Sequence, residues 1–302
     1  DSTEVDPYVA LASKALDEGL SFEKALRRGL KGIICAPEFL FLEERPTADQ
    51  HINDFALASR LSYFLWSSMP DQELFSLAER DELHQPDELR GQVERLLAAP
   101  RSQRFVESFT GQWLRLRDID FTVPDRNLYP EYGQLLRQSM LNETHAFFRE
   151  LLDRDHSVQN FIESDFVMIN QPLADFYGID GVQGLEIRRV KRPRDSLRGG
   201  ILTQASVLKV SADGTRTSPV LRGSWILKHL YGTPSLPPPA TVQAIEPDIR
   251  GATTIREQLA RHREHESRHR CHRRIDPPGF AVECFDVIGA QRHWYRTRGS
   301  GK

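Results

Sequence analysis

Cysteine is scarce in this chain: only Cys35, Cys271 and Cys284 occur in 302 residues, too few for the disulfide framework that staples small secreted domains. No apolar run reaches the roughly 18 residues that a membrane helix needs, so no membrane span is expected. Charge of one sign is also lacking. With 40 Lys and Arg against 43 Asp and Glu, the formal charge is -3, which gives no global pull toward nucleic acid or an anionic surface. Strand-like alternation is confined to Leu185 to Val190. A G-x-S-x-G nucleophile elbow, a phosphate-binding loop and a dinucleotide-binding glycine pattern are all missing, so no catalytic residue is assigned. The chain opens on Asp1 rather than methionine and is expected to be a piece of something longer.

Helical periodicity fills most of the remainder. Segments near 7–18, 22–35, 51–66, 71–80, 86–98 and 101–116 carry apolar residues at three-and-four spacing, with Asp, Ser and Pro at the joins. The longest candidate runs from Pro130 to Asp153. It places Leu135, Leu136, Met140, Thr144, Phe147, Phe148 and Leu151 on one side, with Glu143 and Glu150 among the polar residues elsewhere. Further helices are predicted for Val158 to Glu163, Gln171 to Tyr177, Gly200 to Val210 and Ser218 to Tyr231. Trp66, Trp113 and Trp225 lie on apolar stripes and are expected in the core, Trp294 at the surface. The proline-rich stretch 232–240 cannot continue a helix. Beyond it, Ala252 to Arg270 reads as one more helix, ending near Cys271-His272 before an Asp276-Pro277-Pro278-Gly279 turn. The expected fold is mainly α: an N-terminal helical segment (1–45), a helical bundle (46–190), and a C-terminal domain (191–302) holding the linker and the Cys-His motif at 271–272.

The stretch Arg261 to Asp286 holds four histidines, six arginines and two cysteines. Cys271-His272 reads like the second half of a C-x-x-C-H haem attachment site, in which two thiols hold the porphyrin and the histidine ligates iron. Arg268 stands where the first thiol would be. On that reading Cys271 is a thioether position and His272 the iron ligand. His262, Met140 or Met168 are candidates for a sixth ligand, and arginines 261, 263, 270, 273 and 274 are at hand for propionates. Asp276 has two readings, an acceptor that orients His272 and a turn-former. His265-Glu266-Ser267-Arg268-His269 also matches the H-E-x-x-H zinc-hydrolase pattern, but its charged surroundings make chance the better explanation. The arginines are interleaved with Glu257, Glu264 and Glu266 and have no aromatic neighbours, so nucleic-acid binding is not expected.

Several long ordered motifs carry a resemblance: F-A-L-A-S-R-L-S-Y-F-L-W-S-S-M-P-D from Phe55, R-F-V-E-S-F-T-G-Q-W-L from Arg104, R-G-G-I-L-T-Q-A-S-V-L from Arg198, T-S-P-V-L-R-G-S-W-I-L from Thr217 and C-H-R-R-I-D-P-P-G-F-A-V-E from Cys271. The chain resembles a family of large secreted proteins abundant in planctomycetes, with domains of unknown function 1592 and 1588 and part of domain 1595 at the N-terminus. The resemblance implies a periplasmic or secreted protein with a haem c site at Cys271 and His272, and with His262 where the family usually has a histidine ahead of the motif. It implies electron transfer with a redox partner protein. Arg268 departs from the family's first cysteine, and Cys284 replaces what is typically an asparagine. The alternative is a non-enzymatic extracellular binding or assembly module without haem.

Overall fold

A computed structural model of the chain describes residues 2–41, 52–234 and 266–296. It is mainly helical and divides into two compact units, Asp1–Phe105 and Val106–Lys302.

In the first unit, α1 (Ser2–Asp17) and α2 (Phe22–Ile34) form a hairpin followed by the single turn α3 (Pro37–Leu40). Then α4 (Asp54–Trp66), α5 (Gln72–Glu79) and α6 (Pro86–Ala98) enclose a core of Ala58, Leu65, Trp66, Leu74, Leu77 and Leu96. Each helix begins as its sequence dictates. Asn53 accepts from the Ala56 amide at 2.8 Å, Asp71 accepts from Leu74 at 3.1 Å, and Pro86 stands in the first turn of α6. Trp66 donates its indole N–H to the Leu96 carbonyl at 2.9 Å, tying α4 to α6.

The helix α7 (Gln103–Trp113) leads into the second unit, whose spine is α8 (Gln134–Asp153). A two-stranded antiparallel sheet, β1 (Phe166–Ile169) with β2 (Arg188–Lys191), pairs Phe166 with Lys191 and Ile169 with Arg188; α9 (Gln171–Tyr177) lies between the strands in sequence. The short α10 (Ala205–Val210), α11 (Pro219–His229) and α12 (Glu266–Ala281) complete it. Phe147, Phe166, Leu208, Trp225, Val282 and Phe285 share one apolar core, and Met140, Val167, Ile169 and Leu173 another.

The periodicity located most of these helices. It missed β1, whose four apolar residues are too short a run to distinguish from a helix turn. On α8 the buried face is Leu136, Ser139, Met140, Glu143, Thr144, Phe147 and Leu151, so Leu135 is exposed and Glu143 is inside, opposite to expectation. The expected Asp276-Pro277-Pro278-Gly279 turn is helical instead, because α12 continues through it to Ala281. The two prolines remove the N–H groups that would bond the Arg273 and Arg274 carbonyls, and both arginines lie at the surface. What holds the helix in register is α11. A Cβ on Gly223 would overlap the Ile275 carbonyl, and one on Gly279 would overlap the Pro219 carbonyl. The two helices thus meet backbone to backbone through glycines at both ends of the contact.

Gly223→Ala should therefore destabilise the protein by about 1–3 kcal/mol through overpacking. Gly91→Ala, in the exposed middle of α6 with nothing within 4 Å of its Cβ direction, should stabilise it by about 0.5–1 kcal/mol. Thermal denaturation of the two variants beside the parent checks both signs.

Candidate functional site

Ser218 caps α11 by accepting from the Leu221 amide at 3.3 Å, with Pro219 in the first turn. The loop before it is shaped by Asp213, which takes the Thr215 and Arg216 amides on one carboxylate oxygen. Arg222 lies one turn into α11. Its guanidinium is buried and donates to the carbonyls of Val282 (2.9 Å), Phe285 (2.6 Å) and Asp286 (2.7 Å) in the chain after α12, with a long 3.5 Å contact to Leu208 on α10. Burial pushes its pKa down to about 10, so it stays charged at neutral pH. α11 thereby holds both α12 and the segment that follows it.

On α12, His272 is buried, with 11% of its side chain exposed, and its Nδ1 lies 2.8 Å from Asp276 Oδ1 one turn later. Asp276 is itself buried. Of its two sequence readings, the acceptor that orients His272 is the one the structure displays, and it exists only because the helix continues through the prolines. An ionised carboxylate only accepts, so Nδ1 then carries the proton and Nε2 becomes the metal-binding or proton-accepting nitrogen. Arg268, His269, Arg270 and Cys271 are placed on the same helix by their backbone. His262, His265 and the start of the expected 252–270 helix lie outside the described residues, as does most of the proline-rich stretch. Met140 is fully buried in the α8 core and Met168 packs against the neighbouring one.

Sequence reasoning missed a second buried polar group. Glu143 on α8 accepts from the Tyr177 hydroxyl at 2.6 Å, and that hydroxyl accepts from the Ala205 amide at 3.0 Å. Arg198 stacks 3.7 Å from the centroid of the Tyr177 ring and donates to the Thr203 (2.5 Å) and Gly289 (2.6 Å) carbonyls. Burial raises the Glu143 carboxyl to about 7, against the opposing pull of Tyr177 and Arg198. The available signal was spacing, since Glu143 falls between Met140 and Phe147 on the apolar stripe. The Arg198-Gly199-Gly200 motif is explained by the same region: Gly200 has φ +78°, and a Cβ there would lie 2.5 Å from the Ile162 carbonyl oxygen.

A cleft of about 470 Å³ opens beside α11, with Arg115, Phe121, Ser211, Trp225, Lys228 and His229 on its wall. His272 is not among its lining residues. The Trp225 indole N–H is buried and has no hydrogen-bond partner among the described residues. In the first unit, Asp54, Asp81 and His84 come together as potential cation ligands, but Asp54 is occupied by the Leu83 amide at 2.8 Å and by His84 Nδ1 at 3.2 Å.

Arg222→Met should cost about 3–5 kcal/mol, because the Val282, Phe285 and Asp286 carbonyls lose a charged donor inside the core; chemical denaturation measures it. Glu143 sets a pH dependence. Its folded pKa lies above the ordinary 4.5, so the folded state binds more protons than the unfolded one between about 4.5 and 7. Stability is therefore greatest below that window and falls as pH rises through it, by up to about 3 kcal/mol. Melting curves at about pH 5 and about pH 7.5 should show this fall in the parent and its removal in Glu143→Gln.

Residues 52–179 match the family model described as PSD4, protein of unknown function (DUF1592), and residues 198–295 match PSCyt3, protein of unknown function (DUF1588). These matches begin at residue 52, so the expected N-terminal part of domain 1595 has no match behind it. No curated protein and no solved structure is significantly similar to the chain. Because the two models are met in succession and together span from Ile52 to Tyr295, the chain belongs to the planctomycete-type family that joins domains 1592 and 1588, cytochrome c-like by their names.

Proposed function

We propose that the chain is an exported electron-transfer module that holds a haem through His272 as axial ligand and Cys271 as its single thioether position. The observation that carries this reading is the His272–Asp276 pair, a buried imidazole beside Cys271 on α12 whose Nδ1 sits 2.8 Å from a buried carboxylate. That donor chemistry suits a haem ligand, because a carboxylate on Nδ1 fixes the tautomer and raises the basicity of Nε2. The family names support a cytochrome relationship. A bound haem would supply one-electron chemistry, with the polarity and hydrogen bonding around its ligand tuning the potential. The protein's part is to orient the imidazole through Asp276, to exclude water at the α11–α12 contact, and to offer the exposed Arg273 and Arg274 as cations on the same helix. His262 is the residue ahead of the motif proposed as a further ligand.

A non-enzymatic binding module is the second reading, and two observations favour it. Arg268 takes the place of the first thiol, and Trp225, whose buried indole N–H has no partner among the described residues, lies in the wall of the 470 Å³ cleft beside α11. On this reading the His272–Asp276 pair only stabilises the helix contact.

The pyridine haemochrome spectrum of denatured protein, matured in a periplasm with cytochrome c assembly genes, separates the two. A band in the parent that survives denaturation and is lost in Cys271→Ala is expected for single-thioether attachment. His272→Ala should change the spectrum of the native form, and Asp276→Asn should raise the midpoint potential by weakening the imidazole's basicity. A band that forms only in Arg268→Cys would overturn the haem reading for this chain and leave the binding module.

A further inference from the structure

The cleft of about 470 Å³ in the second unit takes one wall from a single face of α11. Leu221, Ser224, Trp225 and Lys228 lie at i, i+3, i+4 and i+7, the spacing that lines side chains up along one side of a helix. Along that row the chemistry changes from apolar to basic. Leu221 stands in the first turn of α11 and is 58% exposed, whereas Lys228 and His229 form the last turn. Seven residues of helix separate Leu221 from Lys228, a rise of about 10 Å. Between them Trp225 is buried, and its indole N–H has no hydrogen-bond partner among the described residues. Phe121, 87% exposed, adds a second uncovered apolar side chain to the wall.

The charges in the wall are Arg115, Lys228, Asp118 and Asp213. Both acids already have partners. Asp118 Oδ2 accepts from Arg115 Nε at 2.8 Å and lies 2.6 Å from its terminal nitrogen, so that pair cancels. Asp213 accepts the Thr215 and Arg216 amides and acts, with Asp120, on the buried Lys209 ammonium. Lys228 is exposed and pairs with no carboxylate among the described residues. Its place at the end of α11 favours a cation through the helix dipole but supplies no counter-ion. Beside it, the His229 ring lies against Trp225, with centroids 5.1 Å apart. Burial lowers the His229 pKa, and Lys228 and Arg115 push it the same way, so both cations stand near its ring. What remains uncompensated is a positive end and an apolar end, two helical turns apart. We infer that the cleft binds an amphipathic organic anion, a carboxylate whose head meets Lys228 and His229 and whose apolar body, about 10 Å long, lies over Trp225 toward Leu221 and Phe121. Binding there requires no haem and so stands with either function proposed above.

Isothermal titration calorimetry of the full chain with octanoate tests this, with octan-1-ol as the uncharged counterpart. Octanoate should bind saturably with a Kd below about 1 mM, and octan-1-ol at least about 10-fold more weakly. Lys228→Glu should weaken octanoate at least about 10-fold and leave octan-1-ol unchanged. Leu221→Glu should weaken both ligands. Both side chains are exposed, so far-ultraviolet circular dichroism should stay that of the parent. Three results would overturn the inference: no saturable octanoate binding by about 1 mM, equal binding of octan-1-ol, or octanoate binding indifferent to either substitution, which would place the ligand on another apolar surface. The titration reads the cleft and the haemochrome spectrum reads Cys271 and His272, so each can fail alone.

Discussion

The guanidinium of Arg222 is a permanent charge with almost no access to water, and the second unit is arranged around satisfying it. Removing such a charge from water costs several kcal/mol unless it is matched by well-placed acceptors. Here the acceptors are backbone carbonyls of Val282, Phe285 and Asp286, supplied by the chain that leaves α12. Those carbonyls can reach Arg222 only if α12 lies directly against α11. The glycine contacts at Gly223 and Gly279 make that approach sterically available. One buried cation therefore fixes the placement of α12 and, with it, the position of His272.

The candidate site depends on this placement. A turn at Asp276-Pro277-Pro278-Gly279 would carry Asp276 away from His272, whereas a continuous helix sets the two one turn apart at 2.8 Å. Local preference opposes the helix here, since the residue before a proline is disfavoured in the α region and each proline removes a hydrogen bond. Packing against α11 outweighs both effects. The imidazole–carboxylate pair is thus a product of tertiary structure, and its chemistry is available whether the histidine meets a haem or only stabilises a helix contact.

Small residues serve two ends in this chain. Between α11 and α12 they admit a close approach, and the adjoining large residues Trp225, Val282 and Phe285 enter the core. Between α1 and α2 they admit the same approach, yet the adjoining Leu26, Leu30 and Phe22 remain exposed. The first pair of helices sits in a layered unit that covers its flanks. The second is a two-helix layer, and its apolar residues stay exposed.

By itself the sequence determined the helical class, most helix positions and the family. Three-and-four spacing and capping residues such as Asn53, Asp71 and Ser218 act over a single turn and are visible locally. It also singled out Cys271-His272 as the candidate site, with Arg268 where a first thiol would stand. Tertiary structure alone decided that Glu143 turns inward to meet Tyr177, that Arg222 binds carbonyls far along the chain, and that Asp276 orients His272 from within a helix. In each case a buried polar group has to find partners distant in sequence or a conformation its neighbours disfavour, and the balance is struck by desolvation and packing, which no local pattern encodes.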